Sequence, residues 1–143
     1  MKTVRLGKTE IVTNKNGFGA LPIQRISKAD AVYLVRKAYN AGFTFFDTAR
    51  AYTDSEEKLG EAFDGIRDKI YIASKTQAQN GEDLKKDLDK TLKNLRCDYL
   101  DLYQFHNPAF CPKPGDGSGL YEAAEEAKKQ GKIRHIGITN HRL

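Results

Sequence analysis

The feature that most constrains this chain is a regular alternation of two hydrophobic periods. "SKADAVYLVRKAYNAG" sets Ala31, Leu34, Val35 and Ala38 on one face at helical spacing, and a short apolar run over residues 43–47 follows it. "SEEKLGEAFDGI" repeats the helical stripe with Leu59, Ala62, Phe63 and Ile66, and "KIYIASK" is the next strand. "NGEDLKKDLDKTLKNLRC" carries Leu84, Leu88, Leu92 and Leu95 on one face, before the strand "DYLDLYQFH". "GLYEAAEEAKKQGK" turns Leu120, Ala123, Ala124 and Ala127 inward, and "IRHIGITN" closes the series. The repeat is about 30 residues, the size of one strand–helix–strand step. Strands that alternate with helices form a parallel sheet.

Local signals mark the boundaries. "TVRLGKTEIVTNKNGFGA" alternates apolar and polar residues around Gly7 and reads as a hairpin leading into a strand over residues 18–20. Ser27 with Asp30 suits a helix N-cap with an acidic first turn, and Gly42 suits the stop. Ser55 is expected to cap the second helix, with Glu56 and Glu57 near its positive end. In "GDGSG", residues 115–119, Ser118 is expected to cap the last helix.

Two α/β architectures satisfy this pattern, a doubly wound sheet and a (β/α)8 barrel. The strand ends separate them. They fall at Ala20, Asp47, Lys75, His106 and the pair Thr139–Asn140. A barrel gathers its functional groups from the ends of several strands at one rim. A doubly wound sheet concentrates them at one switch point. Polar groups at successive strand ends favour the barrel. A barrel needs eight strands and typically about 250 residues. This chain has 143 residues and about five strands, so it is expected to be the N-terminal part of a barrel, residues 1–143 forming one domain. Such a part would expose strand edges, which favours self-association.

Composition narrows the function classes. Lys and Arg number 24 against 19 Asp and Glu, a net charge of +5 spread along the chain without a basic run. Nucleic acid is therefore not an expected partner. No apolar stretch approaches the roughly 18 residues of a membrane span. "MKTVRLGKTE" lacks a signal-peptide core. Cys97 and Cys111 are not in CxxC spacing and read as reduced thiols of a cytoplasmic protein. His106, His135 and His141 show no ligand spacing, so no metal is expected.

Asp47, Tyr52, Lys75 and His106 form a group with a shared chemistry. A free phenol titrates near pH 10, and an ammonium beside it favours the phenolate. A carboxylate holds the ammonium in place, and an imidazole can donate to a substrate oxygen. Such a group can protonate a carbonyl oxygen as charge develops there. Singly, each residue has a plainer reading. Asp47 could accept hydrogen bonds from its loop, Tyr52 could be a loop tyrosine, Lys75 could snorkel to water, and His106 could be a rim histidine.

Taken together, "GFGA", "FFDTARAYTDSEEKLGEAF", "IYIASK", "YLDLYQFHNP" and "GKIRHIGITNH" resemble the N-terminal half of an aldo-keto reductase, in that family's order and spacing. The resemblance implies a (β/α)8 barrel closed at the bottom by a hairpin. It also implies NADP(H)-dependent reduction of aldehyde or ketone carbonyls. By the same resemblance Tyr52 is the general acid, Lys75 and Asp47 tune it, and His106 orients the carbonyl. Gly19, Ala20, Leu21 and Asp47 border the cofactor, and Thr139 and Asn140 hold the nicotinamide carboxamide. Some relatives with an "FHNP"-like segment carry a C-terminal iron–sulfur cluster, for which Cys97 and Cys111 have the wrong spacing. Two other outcomes are compatible with the resemblance. One is a reductase-like binding or regulatory protein. The other is an inactive fragment, since the family's grip on the adenine and 2′-phosphate lies after the later strands; residues 1–143 alone are then expected to bind NADPH weakly or not at all.

Overall fold

A computed structural model describes residues 2–141. A two-stranded antiparallel hairpin comes first, β1 (Thr3–Arg5) and β2 (Val12–Asn14). Five strands then form one parallel sheet: β3 (Phe18–Gly19), β4 (Phe45–Asp47), β5 (Tyr71–Thr76), β6 (Leu100–His106) and β7 (Ile133–Thr139). Their spatial order is their sequence order. The crossovers are α1 (Lys28–Asn40), α2 (Ser55–Ala62), α3 (Gly81–Leu95) and α4 (Leu120–Lys129).

The core lies between one face of the sheet and these helices. Phe46, Ile72, Tyr103 and Phe105 face Leu59, Leu84, Leu88 and Leu120, all buried. Phe46 meets Phe63 edge-on at 4.9 Å between ring centroids. Truncating a buried leucine such as Leu88 to alanine costs about 2–5 kcal/mol in such a setting. The other face carries Phe45, Leu102 and Gln104, which are only half-buried.

Register places the strand-end residues together. Paired residues in a parallel sheet point to the same side, and so do residues two apart on one strand. Gly19 pairs with Asp47, and Asp47 with Ala73. Two residues on, Lys75 pairs with Gln104, and two further on, His106 pairs with Thr139. Asp47, Lys75, His106 and Thr139 therefore share the helix-free face and climb it diagonally.

The hairpin packs at the opposite ends of the strands. Thr13 is buried, and its hydroxyl meets that of Thr44, the residue before β4, at 2.9 Å. Glu10, in the hairpin turn, reaches His135 Nε2 on β7 at 2.8 Å.

Ser27 caps α1 as expected, accepting the Asp30 N–H at 3.1 Å. Other local expectations need correction. Asp54, not Ser55, is the N-cap of α2, and it makes no side-chain cap. Ser55 instead donates to Ala20 O at 2.9 Å, inside the fold. Gly119, at φ 69°, is the N-cap of α4, while the Ser118 hydroxyl accepts the Leu120 N–H at 3.2 Å from one residue earlier. Leu34 does not join the buried face of α1; it is 43% exposed. The strand expected over residues 43–47 is confined to Phe45–Asp47.

Candidate active site

The loop after β4 continues the ladder of the sheet. Thr48 N–H donates to Ala73 O and Arg50 N–H to Lys75 O, both at 2.9 Å. The chain therefore runs on beside β5 before turning, with Tyr52 N–H on Ala49 O at 3.1 Å. This extension carries Tyr52 to Lys75. Thr53 then takes φ 43°. A β-branched residue in the left-handed region costs about 1–3 kcal/mol and persists where the surroundings enforce it. Here its hydroxyl is held by Gln24 Oε1 at 3.2 Å and Asp54 Oδ1 at 3.4 Å.

Lys75 is 5% exposed. A buried ammonium requires partners. Its Nζ donates to Asp47 Oδ2 at 2.6 Å and to Thr48 O at 2.7 Å. The second Asp47 oxygen faces Gln104 Nε2 at 3.5 Å. The same Nζ lies 4.9 Å from the Tyr52 ring centroid. The Tyr52 and His106 rings meet edge-on, 5.7 Å apart at 87°. The structure thus brings Asp47, Tyr52, Lys75 and His106 into one cluster.

His106 binds a proton less readily than an ordinary imidazole. Burial is the first cause and the Lys75 charge the second, with Asp47 acting the other way. The ring is neutral at pH 7. Its Nδ1 is buried without a partner, so Nε2 is the nitrogen that can reach a ligand. A cavity of about 380 Å³ lies past the ends of β5 and β6, bordered by His106 but otherwise by Thr76, Phe105, Leu120 and the loops after the two strands; Asp47, Tyr52 and Lys75 do not line it.

The expected cofactor residues flank this cluster unequally. Gly19, in register with Asp47, has no atom within 4 Å of where a Cβ would stand. Leu21 is 43% exposed. Ala20, between them, is fully buried, its N–H on Asp47 O at 2.8 Å and its carbonyl under Ser55. Both its backbone polar groups are engaged within the fold. Thr139 lies opposite His106. Its backbone carbonyl and its hydroxyl accept the Asn107 N–H at 2.9 and 3.2 Å. Asn107, at φ 50°, tolerates that conformation better than most residues. Asn140 follows, exposed, at the end of β7. Gly19 and Leu21 thus stand at the β3 edge of the sheet, and Thr139 and Asn140 at the β7 edge.

Several residues of the site lie outside the expected set. Lys58 is buried and donates to Ile23 O at 3.0 Å and Ile26 O at 2.8 Å, holding the segment after β3 against α2. Glu56 lies in the first turn of α2 as expected, but it is fully buried. Among the described residues no group of three or more His, Cys, Asp or Glu is placed to hold a metal ion. Cys97 is half-buried and Cys111 exposed, both free thiols. No helix among the described residues is long and apolar enough to cross a membrane.

Comparison with known proteins identifies the family. The aldo/keto reductase family model matches residues 14–143, and the chain belongs to that family. It is 32% identical to L-galactose dehydrogenase of Arabidopsis thaliana over 149 aligned positions, covering 94% of this chain and 47% of that protein. It is 40% identical to methylglyoxal reductase DkgB of Salmonella typhi, over 74% of this chain and 41% of that one. Among solved structures, the holo form of a Bacillus halodurans aldo-keto reductase superposes with a TM-score of 0.87 at 28% identity, over 99% of this chain and 51% of that one. A Klebsiella pneumoniae aldo-keto reductase, solved in complex with NADPH, gives 0.85 at 30% identity, over 97% and 49%. The chain spans about half the length of the curated relatives it matches. Its five-stranded sheet is accordingly a partial (β/α)8 barrel.

Proposed function

We propose that Asp47, Tyr52, Lys75 and His106 form the reducing centre of an NADP(H)-dependent aldehyde or ketone reductase, with Tyr52 as the general acid. The observation that carries the reading is the Lys75 ammonium, buried, 2.6 Å from Asp47 and 4.9 Å from the Tyr52 ring, with His106 edge-on to that ring.

The bound nicotinamide, when reduced, supplies the hydride that goes to the carbonyl carbon. Tyr52 gives its phenolic proton to the carbonyl oxygen as negative charge grows there. A cation this close stabilises the phenolate left behind. Asp47 keeps that cation in place. The neutral His106 ring donates from Nε2 to the same oxygen and orients it. Gly19, Leu21 and Asp47 would border the nicotinamide, Ala20 would serve only through its fixed backbone, and Thr139 and Asn140 would hold the carboxamide. Klebsiella pneumoniae relatives solved with NADPH and with NADP support the choice of cofactor.

The test is Tyr52→Phe in the full-length protein, followed by consumption of NADPH with a panel of aldehydes. Removing a general acid should lower kcat by about 10²–10⁴-fold, with the thermal midpoint retained. A variant that keeps full turnover would defeat the assignment. Cofactor binding without turnover on any carbonyl, in the unsubstituted protein, would favour a reductase-like binding protein instead.

A further inference from the structure

Glu56 is the second residue of α2 and has no exposed surface. A carboxylate so deeply buried persists only where its lone pairs are filled. Oε1 accepts from Ser74 Oγ at 2.9 Å and Thr91 Oγ1 at 2.8 Å. Oε2 accepts from Asn94 Nδ2 at 3.1 Å and pairs with the Arg50 guanidinium. Four donors from three places in the fold, the loop after β4, β5 and α3, converge on one group.

Two of these donors adjoin the catalytic cluster. Ser74 is the residue before Lys75, and Arg50 lies between Asp47 and Tyr52. Arg50 is thereby fastened twice: its backbone N–H to Lys75 O at 2.9 Å, its guanidinium to Glu56. The other two donors, Thr91 and Asn94, come from α3. They reach Glu56 because α2 and α3 touch backbone to backbone at Gly60, where a Cβ would stand 2.2 Å from Asn94 O.

We infer that Glu56 is a positioning residue for Tyr52: through Arg50 it holds the loop over residues 48–54 against β5, so that the phenol stays beside the Lys75 ammonium. The inference rests on the reading of Tyr52 as proton donor. Glu56 touches no reacting atom itself. A carboxylate that merely filled the helix–sheet interface would need no cation from the loop that bears Tyr52.

The test is Glu56→Gln, which keeps the shape and removes the charge. Two readouts are taken on the full-length protein: turnover of an aromatic aldehyde with NADPH, and amide hydrogen exchange along the chain. The expected result is a kcat lowered by about 10–100-fold, the scale of a small misplacement of a reacting group, with KM for NADPH unchanged. Exchange should quicken over residues 48–54 while β5, β6 and α3 keep their protection. In a Tyr52→Phe background Glu56→Gln should change the residual rate no further. Arg50→Met alone cuts the same tether and should lower kcat by a similar factor. Unchanged exchange over residues 48–54, or exchange raised equally throughout, would overturn the inference. So would an equal loss of rate in both backgrounds. If the unsubstituted protein turns over no carbonyl, the functional reading fails separately, and the exchange pattern alone decides the role of Glu56.

Discussion

The Lys75–Asp47 pair joins two charges of unequal burial, and that inequality predicts unequal consequences. The Lys75 side chain is 7% exposed and the Asp47 side chain 34%. Asp47→Ala leaves the ammonium in the interior with Thr48 O as its hydrogen-bond acceptor. Breaking a buried pair in this way costs about 3–5 kcal/mol, because the surviving charge is uncompensated. Lys75→Met leaves the carboxylate instead, with Gln104 Nε2 at 3.5 Å and water at its exposed third. That loss should be nearer 1.5–3 kcal/mol, the scale of a hydrogen bond to a charged group. The gap of about 2 kcal/mol corresponds to about 1 M in the urea midpoint for a small protein. Equilibrium urea unfolding at pH 7, followed by circular dichroism, measures it, provided the slope is the same in both variants. The double variant should lie close to Lys75→Met, because the two sites couple. Equal midpoints, or a lower midpoint for Lys75→Met, would refute the reasoning. It would mean that water reaches the lysine as readily as the aspartate.

Three further outcomes are expected. Gly60→Ala should destabilise by about 1–3 kcal/mol through overlap with the α3 backbone, outweighing the helix propensity gained; a thermal midpoint that rises would contradict the close approach. His106 holds its proton less readily when folded than the ordinary imidazole near pH 6.5. The unfolded chain therefore binds more protons below that pH, and stability falls as pH drops through 6.5. His106→Gln should flatten the slope of stability between pH 7 and 5, and an unaltered slope would show that His106 does not contribute. Asp101, 1% exposed, accepts from Arg67 Nη2 and the Ile72 N–H; Asp101→Ala should cost about 3–5 kcal/mol, read as a lowered urea midpoint with no selective effect on the rate of the folded enzyme.

The alternation of helix and strand, the parallel sheet and the four residues of the cluster were legible because each rests on a local pattern. A strand that ends on a charge shows in the sequence without knowledge of its neighbours. Ser55 was misread, and the burial of Glu56 was not foreseen, for the opposite reason. Propensity rules put a hydroxyl at the cap and carboxylates in the first turn, and Glu57 obeys them at the surface. Glu56 differs because α3 covers it, and nothing local distinguishes the two. The available signal was Gly60, a glycine inside a helical pattern, which marks a close approach of another backbone. Leu34 shows a similar limit. Spacing assigns it to the apolar stripe of α1, but the neighbours of a helix decide how wide a stripe is covered. Ala20 was placed by position along its strand, while its use by Asp47 and Ser55 depends on contacts made 27 and 35 residues later.

The hairpin at the foot of the sheet bears on how the chain assembles. Glu10 and His135 meet across 125 residues of sequence. Bringing such distant segments together is slow to reward, since the intervening chain must be ordered first. Strand order carries β7 away from the hairpin by way of the whole sheet, since β7 lies beside β6, β6 beside β5, and so on back to β3. The contact is therefore expected to form late in folding. The nuclear magnetic resonance signal of the His135 ring should reach its native position last, after the amides of β5 and β6 are protected. Weakening the pair should hasten unfolding while leaving the folding rate almost unchanged.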